Sequence, residues 1–362
     1  MITSFLKKKR YRLFFILLTF SLIMGLSTLI DGAYESYGPA RKNQLIIQKE
    51  INFPLQEISG LYLKQRENNL NPELFFVGDR KATLGISFLE NGKLKKRRML
   101  DFSRSIVQKY GICKSVHIPA CKDYLKTMTT QWEAVASDAS GRVFLLHEQL
   151  ATIFVYNIVT NSIERLINLD RFELQPKKQS FKSHSSKDNA MAEGFVLLKN
   201  GHILVIKERQ KTSLIEFGPP GATPQGYRPD LPVGSRDEYP LAEETINLIP
   251  LKIWYLEQEY KSCDLSELNT DAQGELYILS QRCNWIAALK HPRASEDKMR
   301  LRKTWALPTK IRKAEAFVVL PQKTFIVAED RKSTNKKNVF ILSEQKENIS
   351  QKNLINQTDK NI

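Results

Sequence analysis

The sequence predicts an all-β domain that follows a single N-terminal membrane helix. Three observations support this: a strand-turn-strand pattern recurs five times, no amphipathic helical pattern of useful length interrupts it, and one long uncharged run stands near the N-terminus. Of the 362 residues, 42% are hydrophobic and 26% charged, which excludes a wholly disordered protein. The four cysteines include no CxxC pair, which excludes a disulfide-dense small scaffold and gives no sign of a zinc ribbon.

The N-terminus predicts the compartment. Residues 1–12 form a basic tail, and an uncharged run follows from Leu13 to Ile30. As a helix, residues 13–30 would extend about 27 Å, close to the thickness of a bilayer's hydrocarbon core. Because the positive cluster precedes the run, we expect the tail to stay cytoplasmic and the bulk of the chain to be periplasmic or extracellular, anchored in the inner (cytoplasmic) membrane.

A cleavable signal peptide is the alternative interpretation of this segment. Its apolar region would be shorter, and a cut after Ala33 would place Asp31 at the −3 position, where a small residue is preferred. We therefore favour an uncleaved anchor, with residues 31–44 as a linker.

Export determines which partners the net positive charge favours and whether the cysteines form disulfides. The formal net charge of +16 favours anionic partners, such as lipid headgroups, phosphorylated metabolites or envelope polymers, and export argues against nucleic acid. In an oxidising compartment two local disulfides, Cys113–Cys121 and Cys263–Cys283, are favoured over the two other pairings.

The internal repeat predicts the fold. Each copy has a short apolar strand, a turn and a second β-rich strand, and a polar residue of the first strand is followed by a polar residue of the second. The separation is 15 residues in four copies (133/148, 193/208, 266/281 and 315/330) and 20 in the first copy (59/79). Additional β-rich segments follow each pair, as in the four-stranded blades of a β-propeller.

The spacing of the copies predicts the size of the propeller. A blade needs about 40–50 residues, so residues 45–342 predict a six-bladed propeller in which five repeats are visible. Leu45–Phe53 should close the last blade. Phe217–Pro250, rich in proline and glycine, should be an insertion, with the sixth blade hidden between it and Ile253–Leu256. Residues 343–362 should form a disordered tail.

The repeat also predicts a site, because the inner strands of a propeller line its central channel. Two acidic rings should form there, and converging carboxylates attract a hard cation such as Ca²⁺. The candidate metal ligands are Glu57, Glu133, Glu148, Glu193, Glu208, Asp264, Glu315 and Asp330, and Asp79 is a further member of the second ring. Arg80, Arg209, Arg282 and Arg331 follow the second ring directly and are candidates for binding an anion. The alternative is structural: the acids pair with these arginines or cap strand-end amides.

Several short motifs resemble a known family. Ser59-Gly60, Glu193-Gly194 with Asn189 before it, Lys207-Glu208-Arg209 and Asp264-Leu265-Ser266 resemble the SdiA-regulated family of exported bacterial propellers. They are similar, more distantly, to phytase-like and "esterase-like activity of phytase" propellers. The resemblance covers about residues 45–342 and implies six blades, calcium binding and membrane attachment. The sequence departs from the pattern at Ala134, Glu267, Gln281 and Ala316.

Two functions follow as hypotheses. The first is a membrane-anchored propeller that binds an anionic ligand or an envelope protein partner at the channel mouth, with a Ca²⁺ ion as its cofactor. The alternative, implied by the phytase-like resemblance, is a Ca²⁺-dependent phosphoester hydrolase. The sequence has no GxSxG, GxxxxGK[ST], HExxH or GxGxxG motif, so it does not decide whether the protein is an enzyme.

Overall fold

The computed structural model describes residues 43–65, 71–110, 128–170, 192–208, 212–242, 245–333 and 335–345. The predicted tail, anchor and most of the linker lie outside these residues, as do Cys113, Cys121 and residues 346–362. No helix among the described residues is long and apolar enough to span a membrane.

The described residues form five four-stranded antiparallel units, which we call blades 1 to 5. Parallel pairing of outer strands also joins blade 2 to blade 3 and blade 4 to blade 5. Blade 1 contains β2 (Ile58–Lys64), β3 (Glu73–Gly78), β4 (Lys81–Glu90) and β5 (Lys93–Asp101). Blade 2 contains β6 (Trp132–Ser137), β7 (Arg142–His147), β8 (Thr152–Asn157) and β9 (Ser162–Leu169). Blade 3 contains β10 (Ala192–Leu197), β11 (Ile203–Lys207), β12 (Ser213–Gly218) and β13 (Ile246–Leu256).

The last two blades complete the disc. Blade 4 contains β14 (Glu267–Thr270), β15 (Leu276–Ser280), β16 (Trp285–Leu289) and β18 (Leu301–Ala306). Blade 5 contains β19 (Ala314–Leu320), β20 (Thr324–Glu329), β21 (Val339–Glu344) and β1 (Asn43–Ile51). The short β17 (Lys298–Met299) pairs with β13, and one helix, α1 (Ser103–Tyr110), follows β5. Single 3-10 turns lie at Gln258–Tyr260 and Pro321–Lys323.

The N-terminal strand closes the ring. β1 pairs antiparallel with β21, from Leu45 opposite Glu344 to Ile51 opposite Val339. It therefore supplies the outer strand of blade 5, in the place where the sequence predicts a closing strand. β21 ends at Glu344, inside the segment predicted as a tail.

The expectation of six blades is wrong for this structure. The five inner strands are β2, β6, β10, β14 and β19; each contacts the next, and β19 contacts β2, so the ring closes without a sixth member. The Phe217–Pro250 stretch hides no blade: its two ends lie in β12 and β13, and the described residues between these strands form their connection. The segment Ile253–Leu256 lies in β13, which pairs with β12 from Ser213 opposite Tyr255 to Gly218 opposite Ile249.

Five apolar layers, one between each pair of neighbouring blades, form the core. Successive side chains of a strand point to opposite faces, so each blade fills the layers on both sides. In β3, for example, Phe75 packs into the layer shared with blade 2 and Phe76 into the layer shared with blade 5. Because both faces are buried, the inner strands read as continuous apolar runs in the sequence.

The predicted disulfide between Cys263 and Cys283 is confirmed. Its two Cα atoms are 5.4 Å apart, and the bond joins the segment before β14 to the turn between β15 and β16. It therefore fastens the inner part of blade 4.

Candidate functional site at the channel mouth

The acids of the first ring lie at the start of the inner strands. Glu133, Glu193 and Glu315 are each the second residue of their strand, and Glu57 stands directly before β2. All four line one cavity of about 380 Å³ at the mouth of the central channel. Asp264, the fifth member, does not line this cavity: its Oδ1 accepts hydrogen bonds from Ser280 Oγ at 2.9 Å and from the Arg282 amide at 2.8 Å.

The second ring lies at the same end of the channel. Its members directly follow the second strand of each blade, and in an antiparallel hairpin the end of that strand lies beside the start of the first. The register shows this, with Trp132 opposite His147 and Ala192 opposite Lys207. Asp79, Glu148, Glu208, Gln281 and Asp330 all line the cavity. The spacing of the repeat therefore brings two rings of polar side chains to one mouth.

Three of these acids have partners that neutralise or hydrogen-bond them. Glu57 forms an ion pair with Arg80, whose side chain is more than half exposed. Asp330 Oδ2 lies 3.0 Å from Lys313 Nζ. Asp79 Oδ1 accepts hydrogen bonds from the backbone amide and the side-chain amide of Gln131, both at 3.0 Å.

Glu133, Glu193 and Glu315 have no hydrogen-bond donor among the described residues. Burial, followed by the charge of Glu148, raises the pKa of both Glu133 and Glu193 well above the ordinary value. Burial, followed by the charge of Asp330, raises the pKa of Glu315 to about 8. These three carboxyl groups therefore retain protons at a pH at which an ordinary glutamate has lost its own.

The candidate arginines do not converge. Arg80 lines the cavity, but Arg331 instead donates from Nε to Glu329 Oε2 at 2.7 Å. The Arg282 side chain is exposed, and Arg209 lies outside the described residues. Two lysines that the sequence analysis did not single out, Lys313 and Lys332, line the mouth. Lys313 stands two residues before Glu315, and residues two apart in an extended chain point to the same side. This alternation could have predicted that Lys313 lies on the cavity side with Glu315.

A further buried acid was identified from the sequence as a departure from the repeat and not as a site residue. Glu267 occupies the position that is glycine in blades 1 and 3, and its carboxylate accepts hydrogen bonds from the amides of Leu268 and Leu61 at 3.0 and 3.3 Å. Burial raises its pKa well above the ordinary value. A Cβ on Gly194 would stand 2.8 Å from Glu267 Oε1, so the glycine of blade 3 makes room for this carboxyl.

The donor set favours a hard cation, because the mouth presents eight carboxylates and neither histidine nor cysteine. Within the described ranges, no three or more His, Cys, Asp or Glu side chains are already arranged to hold a metal ion. Ca²⁺ would therefore require the carboxylates to rotate towards a common point.

Comparisons with known proteins give distant structural similarities alone. No protein-family model matches the chain, and no curated protein matches it. The structure is similar to glutaminyl cyclase from Myxococcus xanthus, with a TM-score of 0.45 and 11% identity over 85% of this chain and 99% of that one. It is similar to the Cps50 (Swd1) β-propeller domain of Myceliophteria thermophila (TM-score 0.37, 10% identity, 79% and 70% coverage). It is also similar to virginiamycin B lyase from Staphylococcus aureus (TM-score 0.35, 10% identity, 84% and 74% coverage).

These similarities are weak, and no comparison identifies the SdiA-regulated family, so that resemblance stays a prediction. The fold assignment rests on strand order and on the closure of the inner ring. By its topology, the described part of the chain is a five-bladed β-propeller.

Proposed function

We propose that this protein is a membrane-anchored, extracytoplasmic binding propeller that takes up a hard cation, Ca²⁺ in the first place, at its channel mouth. The observation that carries the proposal is the set of three carboxyl groups, Glu133, Glu193 and Glu315, that have raised pKa values and no donor among the described residues. Burial and neighbouring carboxylates oppose the ionised form of these groups, and a bound cation would stabilise that form.

The charges at the mouth favour a cation over an anion. Eight acids line the cavity against three basic side chains. Arg80 and Lys313 are already paired with Glu57 and Asp330, which leaves Lys332 on the exposed rim. An anionic ligand or an envelope protein partner, which the sequence favours, would therefore contact this mouth through the bound cation.

The chemistry of Ca²⁺ suits the cavity. The ion takes six to eight oxygen ligands at about 2.3–2.6 Å and tolerates irregular geometry. Rotation of flexible glutamate side chains supplies such ligands, and a volume of about 380 Å³ leaves space for coordinated water. Because Glu133, Glu193 and Glu315 hold protons when the mouth is empty, Ca²⁺ binding should release protons. This release distinguishes binding at the mouth from binding by exposed carboxylates.

Calorimetric titration of the full-length chain in nonionic detergent with CaCl₂ tests this proposal. Two buffers of different ionisation enthalpy report proton release, and we expect tighter binding at pH 8 than at pH 6. Glu133→Gln combined with Glu193→Gln should weaken the affinity at least about tenfold, because two ligands lose their charge. Glu90→Gln, at an exposed position on β4, is the matched control and should bind as the wild type does.

Two results would decide against this function. If neither Ca²⁺, Mg²⁺ nor Mn²⁺ binds at either pH, the acids are structural. If the protein hydrolyses p-nitrophenyl phosphate in a Ca²⁺-dependent manner, and Glu193→Gln and Glu208→Gln each abolish turnover, the alternative hydrolase replaces the binding module.

A further inference from the structure

A second cavity, away from the channel mouth, is strongly basic. It has a volume of about 620 Å³ and lies between the β12–β13 connection and the segment that links β16 to β18. We call it the basic groove; its cationic lining is Arg228, Lys290, Arg293, Lys298 and Arg300, and His291 lies among them. Glu296 is the one acid among the described lining residues. The channel mouth is built on the two inner strands of each blade, whereas the groove is built on outer strands and their connections, so the two sites are separate.

Hydrogen bonds to backbone carbonyls hold the walls of the groove in place. The Tyr227 amide donates to Pro292 O at 2.9 Å and joins the two connections. Trp254 Nε1 donates to Arg293 O at 2.8 Å, and the Lys290 amide donates to Arg300 O at 2.9 Å. The groove therefore presents its side chains from a fixed frame.

A buried carboxylate fixes the first wall. Glu216, fully buried in β12, accepts hydrogen bonds from the amides of Gln225 and Gly226 at 2.9 and 3.0 Å. Gly226 has a φ of +71°, and a Cβ there would stand 2.8 Å from Pro292 O, so only glycine lets the two connections meet this closely. Tyr227 and Arg228 follow directly and are positioned by these contacts.

Most of the positive charge in the groove is not neutralised. Lys290, Arg293 and Lys298 are exposed and form no ion pair with any described residue. Arg300 Nε lies 3.8 Å from Glu257 Oε1, too far for a hydrogen bond. Arg228 pairs with Asp230 at 3.3 Å, where both side chains are exposed, and such pairs are weak. The carboxylate of Glu296 accepts a long hydrogen bond, 3.4 Å, from the Arg293 amide.

The floor of the groove adds a polar atom without a hydrogen bond. His291 stacks at a tilt against Tyr227, with ring centroids 5.8 Å apart. Its buried Nε2 forms no hydrogen bond with the described residues, and its nearest carboxylate oxygen, Glu275 Oε1, is 3.4 Å away. Below the exposed cations the floor is thus an imidazole ring whose buried Nε2 lies near Glu275.

We propose that the basic groove binds a phosphate-bearing ligand. Guanidinium and ammonium groups are the side chains that recognise phosphate oxygens, through charge-assisted hydrogen bonds, and here they converge on one preformed cavity. The same chemistry is carried by a soluble phosphate ester and by the headgroup of an anionic phospholipid. This site goes beyond the proposed function, because it needs neither the channel mouth nor a metal ion.

The test is calorimetric titration of the full-length chain in nonionic detergent, with EDTA present so that the channel mouth holds no divalent cation. The probes are inorganic pyrophosphate and glycerol 1-phosphate for the soluble source, and dihexanoylphosphatidylglycerol for the headgroup source. Dihexanoylphosphatidylcholine, a lipid without net charge, is the control. We expect the wild type to bind at least one phosphate probe and not the phosphatidylcholine.

The variant Lys290→Ala/Arg293→Ala/Lys298→Ala should weaken that binding at least about tenfold, because three charge-assisted contacts are lost. The matched control is Lys81→Ala/Lys93→Ala/Lys95→Ala, which removes the same charge from exposed positions on blade 1. It should bind as the wild type does. The single variant Arg228→Gln gives a second test and should weaken binding by a smaller factor.

Binding of pyrophosphate or glycerol 1-phosphate alone assigns the groove to a soluble phosphate, and binding of phosphatidylglycerol alone assigns it to a headgroup. If no phosphate probe binds, the proposal is overturned. It is also overturned if the blade 1 control loses as much affinity as the groove variant, because the binding is then a property of the overall charge.

Discussion

Lys313 and Asp330 form an ion pair across the first two strands of blade 5, with Lys313 Nζ 3.0 Å from Asp330 Oδ2. The hydrogen bond to Asp330 raises the pKa of Lys313. Burial, followed by the charge of the same Asp330, raises the pKa of Glu315, which stands two residues after Lys313. One carboxylate at the channel mouth is thus neutralised by a lysine while its neighbour is kept protonated.

This arrangement predicts that stability depends on pH. The pKa of Glu315 is raised from 4.5 to about 8, so between these pH values the folded state holds a proton that the unfolded state has lost. The free energy of unfolding should fall as pH rises through this range, by up to about 1.4 kcal/mol per pH unit for each retained proton. Glu315→Gln should flatten this slope and stabilise the protein at pH 8. Urea unfolding at pH 5, 6.5 and 8 measures the effect; an unchanged slope would contradict the assignment, and Glu90→Gln is the control.

The closing strand should be essential for stability. Leu45 of β1 is 1% exposed and packs with the layer between blades 4 and 5, whereas its neighbour Ile46 is 38% exposed. Leu45→Ala should lower the free energy of unfolding by about 2–4 kcal/mol, because it leaves a cavity in that layer. Ile46→Ala is the matched control in the same strand and should change it by about 0.5 kcal/mol or less. Equal effects of the two substitutions in urea unfolding would show that β1 does not close the ring.

The disulfide should stabilise blade 4. Cys263 and Cys283 are 20 residues apart, and cross-linking a loop of this length restricts the unfolded chain by about 3 kcal/mol. Cys263→Ala/Cys283→Ala should therefore lower the midpoint of urea unfolding by an amount that corresponds to about 2–4 kcal/mol. A midpoint equal to that of the wild type would refute this prediction.

Glu216 should hold the first wall of the basic groove. Its carboxylate also lies 2.6 Å from His202 Nδ1, so a glutamine there must turn an NH₂ group towards one of three nitrogen atoms. Glu216→Gln should cost about 1–3 kcal/mol of stability and speed hydrogen exchange of the Gln225 and Gly226 amides. Pyrophosphate binding should weaken in parallel.

The control for this substitution is Glu238→Gln, at an exposed position of the same connection. It should leave the exchange of both amides unchanged. Exchange rates in Glu216→Gln that match those of the wild type would show that the backbone of the connection holds itself in place.

The convergence of the acids was predictable because it follows from local spacing. Trp132 lies opposite His147 and Ala192 opposite Lys207, so the acids that directly follow these residues, Glu133 with Glu148 and Glu193 with Glu208, lie at the same end of their hairpin. Arg331, a candidate for binding an anion at the mouth, does not line the cavity, and the cause is again local. Consecutive residues point to opposite sides, so Arg331 pairs with Glu329, two residues before it, while Asp330 faces the cavity.

The sequence by itself determined the β-rich repeats, the position of the closing strand, the Cys263–Cys283 bond and the two rings of acids. Each of these depends on alternation or on short separations along the chain. Only the tertiary structure decided that the disc has five blades, because ring closure depends on how whole sheets pack against each other. It also decided that the long proline-rich segment is a connection within blade 3, and that Arg228 meets Arg293 in one basic groove. Contacts between segments this far apart depend on how blades 3 and 4 pack against each other. No repeat in the sequence indicates that packing.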